Sequence, residues 1–252
     1  MGAFKDRISL VIGGAGGMGL AASKALADKG ATVVVADLDA HAAKRAAQQI
    51  ADAGGDARSY QVDVASTAAL RDLFGYIETT WGRLNVLFNN VGSRCASGFD
   101  VGEDDFDAAM AINVKSHFFA LNLAAPLLRR GAPHASAVVM ASGAALKYFG
   151  RSPLYSISKA AAVMTAKAFA QHLGPDGVRV NVLCPGAVDT AFPLQGVDPG
   201  AHDAVIERLS QQIPLRRIAK PEDVGNLVVF LASDEASYLT GLTIPVDGGL
   251  LG

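Results

Sequence analysis

Short apolar runs rich in Val, Ile and Leu alternate with longer, alanine-rich stretches along this chain, and no other feature restricts its fold as much. Unbroken apolar runs suit parallel strands buried on both faces, and the stretches between them are long enough for helical crossovers. Strands are expected near 8–12, 32–36, 57–61, 85–89, 136–141, 178–183 and 243–246. Helices are expected near 17–29, 40–53, 66–81, 103–130, 153–173 and 221–232, the last opening on Pro221 with Glu222 and Asp223 beside it. The fold class that follows is α/β, a doubly wound, seven-stranded parallel sheet with helices on both faces. With 252 residues, 50% of them hydrophobic, one domain over 1–252 accommodates the whole pattern. One segment, 190–214, breaks the rhythm with Pro193, Gly196, Pro199, Gly200 and a short amphipathic piece from Asp203 to Gln212; it is expected to act as a lid.

Charge and hydropathy remove two classes of partner. Lys and Arg number 22 against 24 Asp and Glu, a formal net charge of -2, so no basic field is present to hold a nucleic-acid backbone. Mean hydropathy is high at +0.27. Even so, the longest apolar stretches, such as Phe118 to Leu128, are interrupted by Asn122 and Pro126 and are too short for a bilayer span. Cys95 and Cys184 form no CxxC, and His41, His117, His134, His172 and His202 show no ligand spacing, so no metal is expected and the histidines are read as surface or helix residues. Met1 to Arg7 runs straight into Ile8 to Ile12 and glycines, unlike a signal peptide, and the opening MGAFKD lacks the Ser or Thr of a myristoylation site. A cytoplasmic setting with reduced thiols is expected.

Gly13, Gly17 and Gly19 directly follow the first expected strand and open the first expected helix, where backbone N–H groups approach a pyrophosphate. Such a turn by itself is more often an ordinary tight turn. Asp37 follows the second strand, where a carboxylate hydrogen-bonds an adenosine 2′-hydroxyl and repels a 2′-phosphate. Taken alone, Asp37 would be read as a solvated acid or a helix cap. Coupled to the glycines, and with no Arg or Lys in the loop or at position 38, it points to NAD rather than NADP.

Tyr155 and Lys159 stand at i and i+4, which puts phenol and ammonium on one helical face. A free tyrosine, with a pKa near ~10, is a poor base at neutral pH; a lysine cation beside it, helped by the positive nicotinamide of an oxidised cofactor, is expected to favour the phenolate and make a general acid/base. The pair also arises by chance on exposed helices. Ser142 falls at the carboxyl edge of the sheet, where doubly wound folds bind ligands, although Ser142-Gly143 is also a common turn dipeptide.

In order and spacing, Gly13-x-x-x-Gly17-x-Gly19, Asp63-Val64, Asn89-Asn90-Val91-Gly92, Asn113, Ser142, Tyr155-x-x-x-Lys159, Pro185-Gly186 and the closing Pro245-Val246-Asp247-Gly248-Gly249 resemble the short-chain dehydrogenase/reductase family, with its Rossmann fold, over essentially the whole chain. The resemblance implies a catalytic set of Asn113, Ser142, Tyr155 and Lys159. It implies a cofactor cleft of Gly13, Gly17, Met18, Gly19, Asp37, Asp63, Val64, Asn90, Val91, Gly92, Tyr155, Lys159, Pro185, Gly186, Val188 and Thr190. In that pattern Asp63 touches the adenine, Asn113 helps hold a water in a proton relay, Lys159 binds the nicotinamide ribose and Thr190 the carboxamide. Two positions depart from the pattern. Val91 replaces a common alanine, and Ile12 replaces a threonine whose hydroxyl usually ties the turn to its neighbours, which leaves the loop to be held by packing alone.

The activity implied is reversible hydride transfer between a secondary alcohol and NAD, with Tyr155 moving the hydroxyl proton and Ser142 holding the carbonyl oxygen. Segments expected to line the substrate pocket are mainly apolar, with Leu146, Phe149 and Phe192 beside Ser142 and Tyr155, and suit a cyclic, aryl or medium aliphatic alcohol. Arg94 is the exception. It is able to clamp a substrate carboxylate, whereas a solvent-facing loop arginine or an intersubunit contact is the commoner role. The runner-up is an NADPH-dependent 3-oxoacyl-thioester reductase, disfavoured by Asp37 and by Gln171-His172 where a basic carrier-protein contact is expected. A nucleotide-sensing protein without turnover ranks lower, because all four catalytic residues are present. The Ala-rich stretch Ser158 to Phe169 and the tail Leu250-Leu251-Gly252 suggest apolar surface shared between subunits, with a homotetramer expected.

Overall fold

The computed structural model describes residues 2–191 and 198–252. Seven strands, β1 (Ile8–Ile12), β2 (Thr32–Asp37), β3 (Asp56–Gln61), β4 (Val86–Asn89), β5 (Ser136–Met140), β6 (Arg179–Pro185) and β7 (Thr243–Val246), form one sheet in the order β3-β2-β1-β4-β5-β6-β7. Every pairing is parallel, with Ile12 opposite both Ala36 and Asn89. β1, β4, β5 and β6 are buried along their whole length, the outcome expected for strands covered on both faces. β3, with Asp56, Arg58 and Gln61, is an edge strand, and its charged side chains are those an edge tolerates.

The crossovers are α1 (Gly17–Asp28), α2 (Ala40–Asp52), α3 (Thr67–Trp81), α4 (Glu103–Met110), α5 (Ser116–Gly131), α6 (Pro153–Leu173), α7 (His202–Gln211) and α8 (Pro221–Ala232). Their starts are written in the chain. Asp39 caps α2 by accepting from His41 and Ala42 N–H at 2.8 and 3.0 Å, Ser66 caps α3, and Ser152 caps α6 ahead of Pro153. One face of the sheet packs against α3, α5 and α6 through Leu70, Leu73, Ile77, Leu121, Leu128 and Leu173. The other packs against α1, α2 and α8 through Leu26, Ile50, Val224, Val228 and Leu231. Gly225 lets α8 lie directly on α1, since a Cβ there would meet the Ala21 carbonyl carbon at 3.0 Å.

The helix expected over 103–130 is a correction: α4 passes into a π-helical turn, Ala111–Lys115, before α5 resumes. Apolar periodicity runs through the turn unbroken, so no glycine or proline announces it, and Pro126 sits inside α5 without ending it. Within the expected lid, the described residues form a short 3-10 turn, Pro199–Ala201, and α7. Phe192, named for the substrate pocket, lies outside the described residues. No helix among the described residues is long and apolar enough to cross a membrane. The strand order reverses between β1 and β4, and their carboxyl ends open the crevice in which such sheets bind ligands.

Candidate active site

The glycine loop leaves β1 and turns into α1 over Asn90. At Gly13, with φ +72°, an added Cβ would meet the Asn90 carbonyl oxygen at 2.6 Å; at Gly19 it would meet the Gly13 carbonyl oxygen at 1.9 Å. Gly16 precedes α1 with no side-chain cap and open space where its Cβ would be, so the first N–H groups of the helix face the cleft. The loop is not held by packing alone. Gly13 and Gly14 N–H donate to the Ala36 carbonyl at 2.8 and 3.1 Å, Asn90 Nδ2 to the Gly13 carbonyl at 2.9 Å, and Ala15 N–H to Asp37 Oδ2 at 3.1 Å. These bonds replace the hydroxyl missing at Ile12.

A cavity of about 280 Å³ extends from the loop over the ends of β1 and β2, lined by Gly13, Asp37, Asp63, Val64, Asn90 and neighbours. It carries two carboxylates and, among the described residues, no Arg or Lys. A second cavity of about 400 Å³ is walled by Gly17, Met18, Asn90, Val91, Gly92, Ser142, Tyr155 and Lys159, and by Pro185, Gly186, Val188 and Thr190 on the far side. The fold thus gathers the residues named for a nucleotide into two adjoining cavities, while Gly19 and Asn113 stand behind the walls. The uncapped helix, the glycine cradle and a buried Asn90 Oδ1 without a protein partner fit a dinucleotide.

Tyr155 and Lys159 project from α6 into the second cavity. Lys159 is 1% exposed and donates to the carbonyls of Val91 at 2.9 Å and Met140 at 3.3 Å; burial pulls its pKa down to about 8. Burial pushes Tyr155 up to about 12, opposed by the Ser142 hydroxyl hydrogen-bonded to it and by the charge of Arg94. Lys159 alone therefore does not bring the phenol toward phenolate. Nζ lies 5.9 Å from the ring centroid, committed to carbonyls, and desolvation outweighs the Ser142 hydrogen bond and the Arg94 charge. At neutral pH this pair is a phenol and an ammonium, poised to donate.

Asn113 sits in the π-helical turn, fully buried. Its Oδ1 accepts from Ser93 N–H at 2.9 Å and its Nδ2 donates to the Ser93 carbonyl at 3.1 Å and Cys95 Sγ at 3.3 Å. Within the chain it clamps the loop after β4. His117, read from sequence as a surface or helix residue, is on α5 but fully buried; its Nε2 lies 3.2 Å from the Val91 carbonyl that also accepts from Lys159.

A third cavity, of about 560 Å³, shares Tyr155 with the second and is lined by Arg94, Cys95, Tyr148, Phe149 and, unanticipated from sequence, Arg151 and Ser152. Leu146, expected here, is exposed and absent from that lining. A 3-10 turn after Ser142, Gly143–Ala145, redirects the chain so that Tyr148 and Phe149 reach the cavity instead. Nothing in local pattern marks that turn beyond Ser142-Gly143.

Residues 13–251 match a family model described as enoyl-(acyl carrier protein) reductase. The chain is 32% identical over 244 residues to 2,5-dichloro-2,5-cyclohexadiene-1,4-diol dehydrogenase of Sphingobium indicum, covering 96% of this chain and 95% of that one. It is 36% identical over 247 residues to 4-formylbenzenesulfonate dehydrogenase of Comamonas testosteroni, covering 96% and 97%. The structure of a 7α-hydroxysteroid dehydrogenase with NADH and 7-oxo glycochenodeoxycholic acid superposes with a TM-score of 0.91 at 30% identity, covering 98% of this chain and 94% of that one. A parallel sheet in this order, a glycine cradle on β1 and a half-buried Tyr155 with a buried Lys159 beside Ser142 agree with these likenesses: the chain is an oxidoreductase of the short-chain dehydrogenase/reductase family.

Proposed function

We propose that the chain is an NAD(H)-dependent oxidoreductase that interconverts a secondary alcohol, cyclic, aryl or medium apolar, and its ketone. The observation that carries the proposal is the position of Tyr155 in the walls of both the cofactor-sized and the substrate-sized cavity, with Ser142 hydrogen-bonded to it. NAD rather than NADP is supported by Asp37 and Asp63 in a cavity without a cation. Ring-bearing substrates are supported by the three relatives, whose names specify a cyclohexadienediol, an aryl aldehyde and a steroid ketone.

In this reading NAD accepts or returns the hydride and, when oxidised, brings a positive charge to the cleft. Gly13, Gly17, Met18 and the N-terminus of α1 hold its phosphates; Asp37, Asp63 and Val64 bind the adenosine end. Asn90, Val91, Gly92, Pro185, Gly186, Val188 and Thr190 line the nicotinamide end. In reduction, Tyr155 gives its proton to the carbonyl oxygen as the carbon gains a hydride, and Ser142 donates a hydrogen bond to that oxygen. In oxidation, Tyr155 takes the hydroxyl proton while the carbinol C–H pair leaves as hydride. Lys159 stabilises the charge left on Tyr155, and Asn113 keeps the 93–95 loop in place beside it. Segment 190–214 closes over the bound pair as a lid on a single domain. Apolar side chains exposed on α5 and α6, Phe118, Ile157 and Met164, support a homotetramer, and the two free thiols suit a cytoplasmic setting.

The test is turnover of cyclic and aryl secondary alcohols and their ketones with NAD(H) and NADP(H), with Tyr155→Phe alongside. Turnover with NAD(H) that disappears in the variant is expected. A preference for NADPH with 3-oxoacyl thioesters would replace this reading, and cofactor binding without any turnover would favour the sensing role.

A further inference from the structure

The third cavity has a charge pattern that an apolar alcohol does not need. Arg94 comes from the loop after β4 and Arg151 from the residue before the cap of α6, and both line the cavity that Tyr155 closes. Among the described residues no Asp or Glu lines it, and Arg151 takes part in none of the ion pairs they form. Two arginines in the wall of one aqueous cavity whose described lining holds no acid give it a positive character that favours an anionic occupant.

The two arginines are held on a common frame. Gly98 N–H donates to the Arg151 carbonyl at 2.9 Å, and Ser152 Oγ donates to the Ala96 carbonyl at 2.6 Å while accepting from Tyr155 N–H at 3.2 Å. One hydroxyl therefore ties the loop of Arg94 to the first turn of α6. The positive end of that 21-residue helix faces the same cavity through Ser152, Tyr155 and Ser156. Tyr148 and Phe149 add aromatic surface to the same wall.

We infer that this cavity is an oxyanion subsite, in which Arg94 and Arg151 hold the carboxylate of a substrate whose ring lies against Tyr148 and Phe149 and whose carbonyl reaches Tyr155 and Ser142. The inference rests on the oxidoreductase reading above and narrows its substrate class to aryl or cyclic keto acids and hydroxy acids.

The test compares 4-acetylbenzoate with 4-methylacetophenone, close in shape and different in charge. The ratio of kcat/KM, charged over neutral, is expected to exceed unity and to shrink as salt is added. It falls by about 10-fold or more in Arg94→Ala and again in Arg151→Ala, chiefly through KM, because each removes a charge-assisted hydrogen bond. Arg151→Lys recovers only part of it, since an ammonium lacks the planar fork. Arg58→Ala, on the opposite edge of the sheet, serves as the control and leaves the ratio in place. A wild-type ratio near one, or a ratio unchanged in both arginine variants, overturns the inference. If neither ketone turns over, the oxidoreductase reading loses its substrate class, and calorimetry with 4-acetylbenzoate and NAD still decides the subsite. Binding lost in both variants upholds it; binding that is absent or equal in all three proteins overturns it.

Discussion

The Nζ of Lys159 donates to the carbonyl oxygen of Val91 at 2.9 Å, and this bond, not an acidic partner, holds a buried ammonium in place. Burial without a carboxylate keeps the lysine near a pKa of about 8, so its protonation couples to stability. Between pH 8 and 10 the unfolded chain holds a proton on this lysine that the folded chain has released, so the Lys159 contribution to stability rises with pH across that window, while the buried Cys184 thiol, pushed up to about 11, opposes it above pH 9. The full gain expected, from a lowering of about 2.5 units, is about 3 kcal/mol. Urea unfolding at pH 7.5, 8.5 and 9.5 should show the wild type gaining stability relative to Lys159→Met as pH rises, since the thiols titrate alike in both proteins. A wild-type curve parallel to that of the variant would contradict the environment described for Lys159.

Gly92 gives this lysine its room. An added Cβ would stand 2.7 Å from Nζ and 3.3 Å from Cε. Gly92→Ala should therefore displace the ammonium from Val91 and the cofactor cleft while leaving the distant sheet edge unaffected. A loss of about 10-fold or more in kcat/KM is expected, in line with the sensitivity of catalysis to misplacement of about 1 Å. Steady-state kinetics and circular dichroism on the same sample separate this from misfolding.

His117 makes the protein sensitive to acid. Burial and the neighbouring Lys159 charge push its pKa down to about 3, from an ordinary value of 6.5. Below pH 6.5 the unfolded chain takes up a proton that the folded chain refuses, so stability falls as pH drops from 6.5 toward 3, by about 5 kcal/mol over the full range. His117→Asn should flatten the decline between pH 6 and 4, whatever its effect on stability at pH 7. Chemical denaturation across that range measures both slopes.

In the proposed NAD(H) reading, Asp37 joins cofactor choice to loop geometry. Its Oδ2 accepts from Ala15 N–H and its Oδ1 from Asp39 N–H at 3.3 Å, so one carboxylate both shapes the glycine loop and lines the cavity over the ends of β1 and β2. Asp37→Ser should raise the NADP-to-NAD ratio of kcat/KM by about 10-fold or more, because an uncompensated anion beside a phosphate costs on the order of 1–2 kcal/mol at the surface. The lost loop bond should lower stability by about 1 kcal/mol. Initial rates with both cofactors and a melting curve read the two effects separately.

The parts of this molecule legible in the sequence are those whose cause is local. Strands buried on both faces need unbroken apolar runs, so β1, β2, β4, β5 and β6 stand out; helix starts need a cap, and Asp39, Ser66 and Ser152 supply one. The glycine spacing marks where backbone must pass close to backbone, and the i, i+4 spacing places Tyr155 and Lys159 on one face of α6. Tertiary structure alone decided what depends on residues far apart in the chain. It brought Arg151 to the cavity of Arg94 through bonds from Gly98 and Ser152, turned the amide of Asn113 toward Ser93, and hid the π-helical turn inside an unbroken apolar rhythm. It also set the protonation of Tyr155, Lys159 and His117. Spacing records which side chains share a face, but the cost of a charge depends on how much water packing removes around it, and that is a property of the assembled fold.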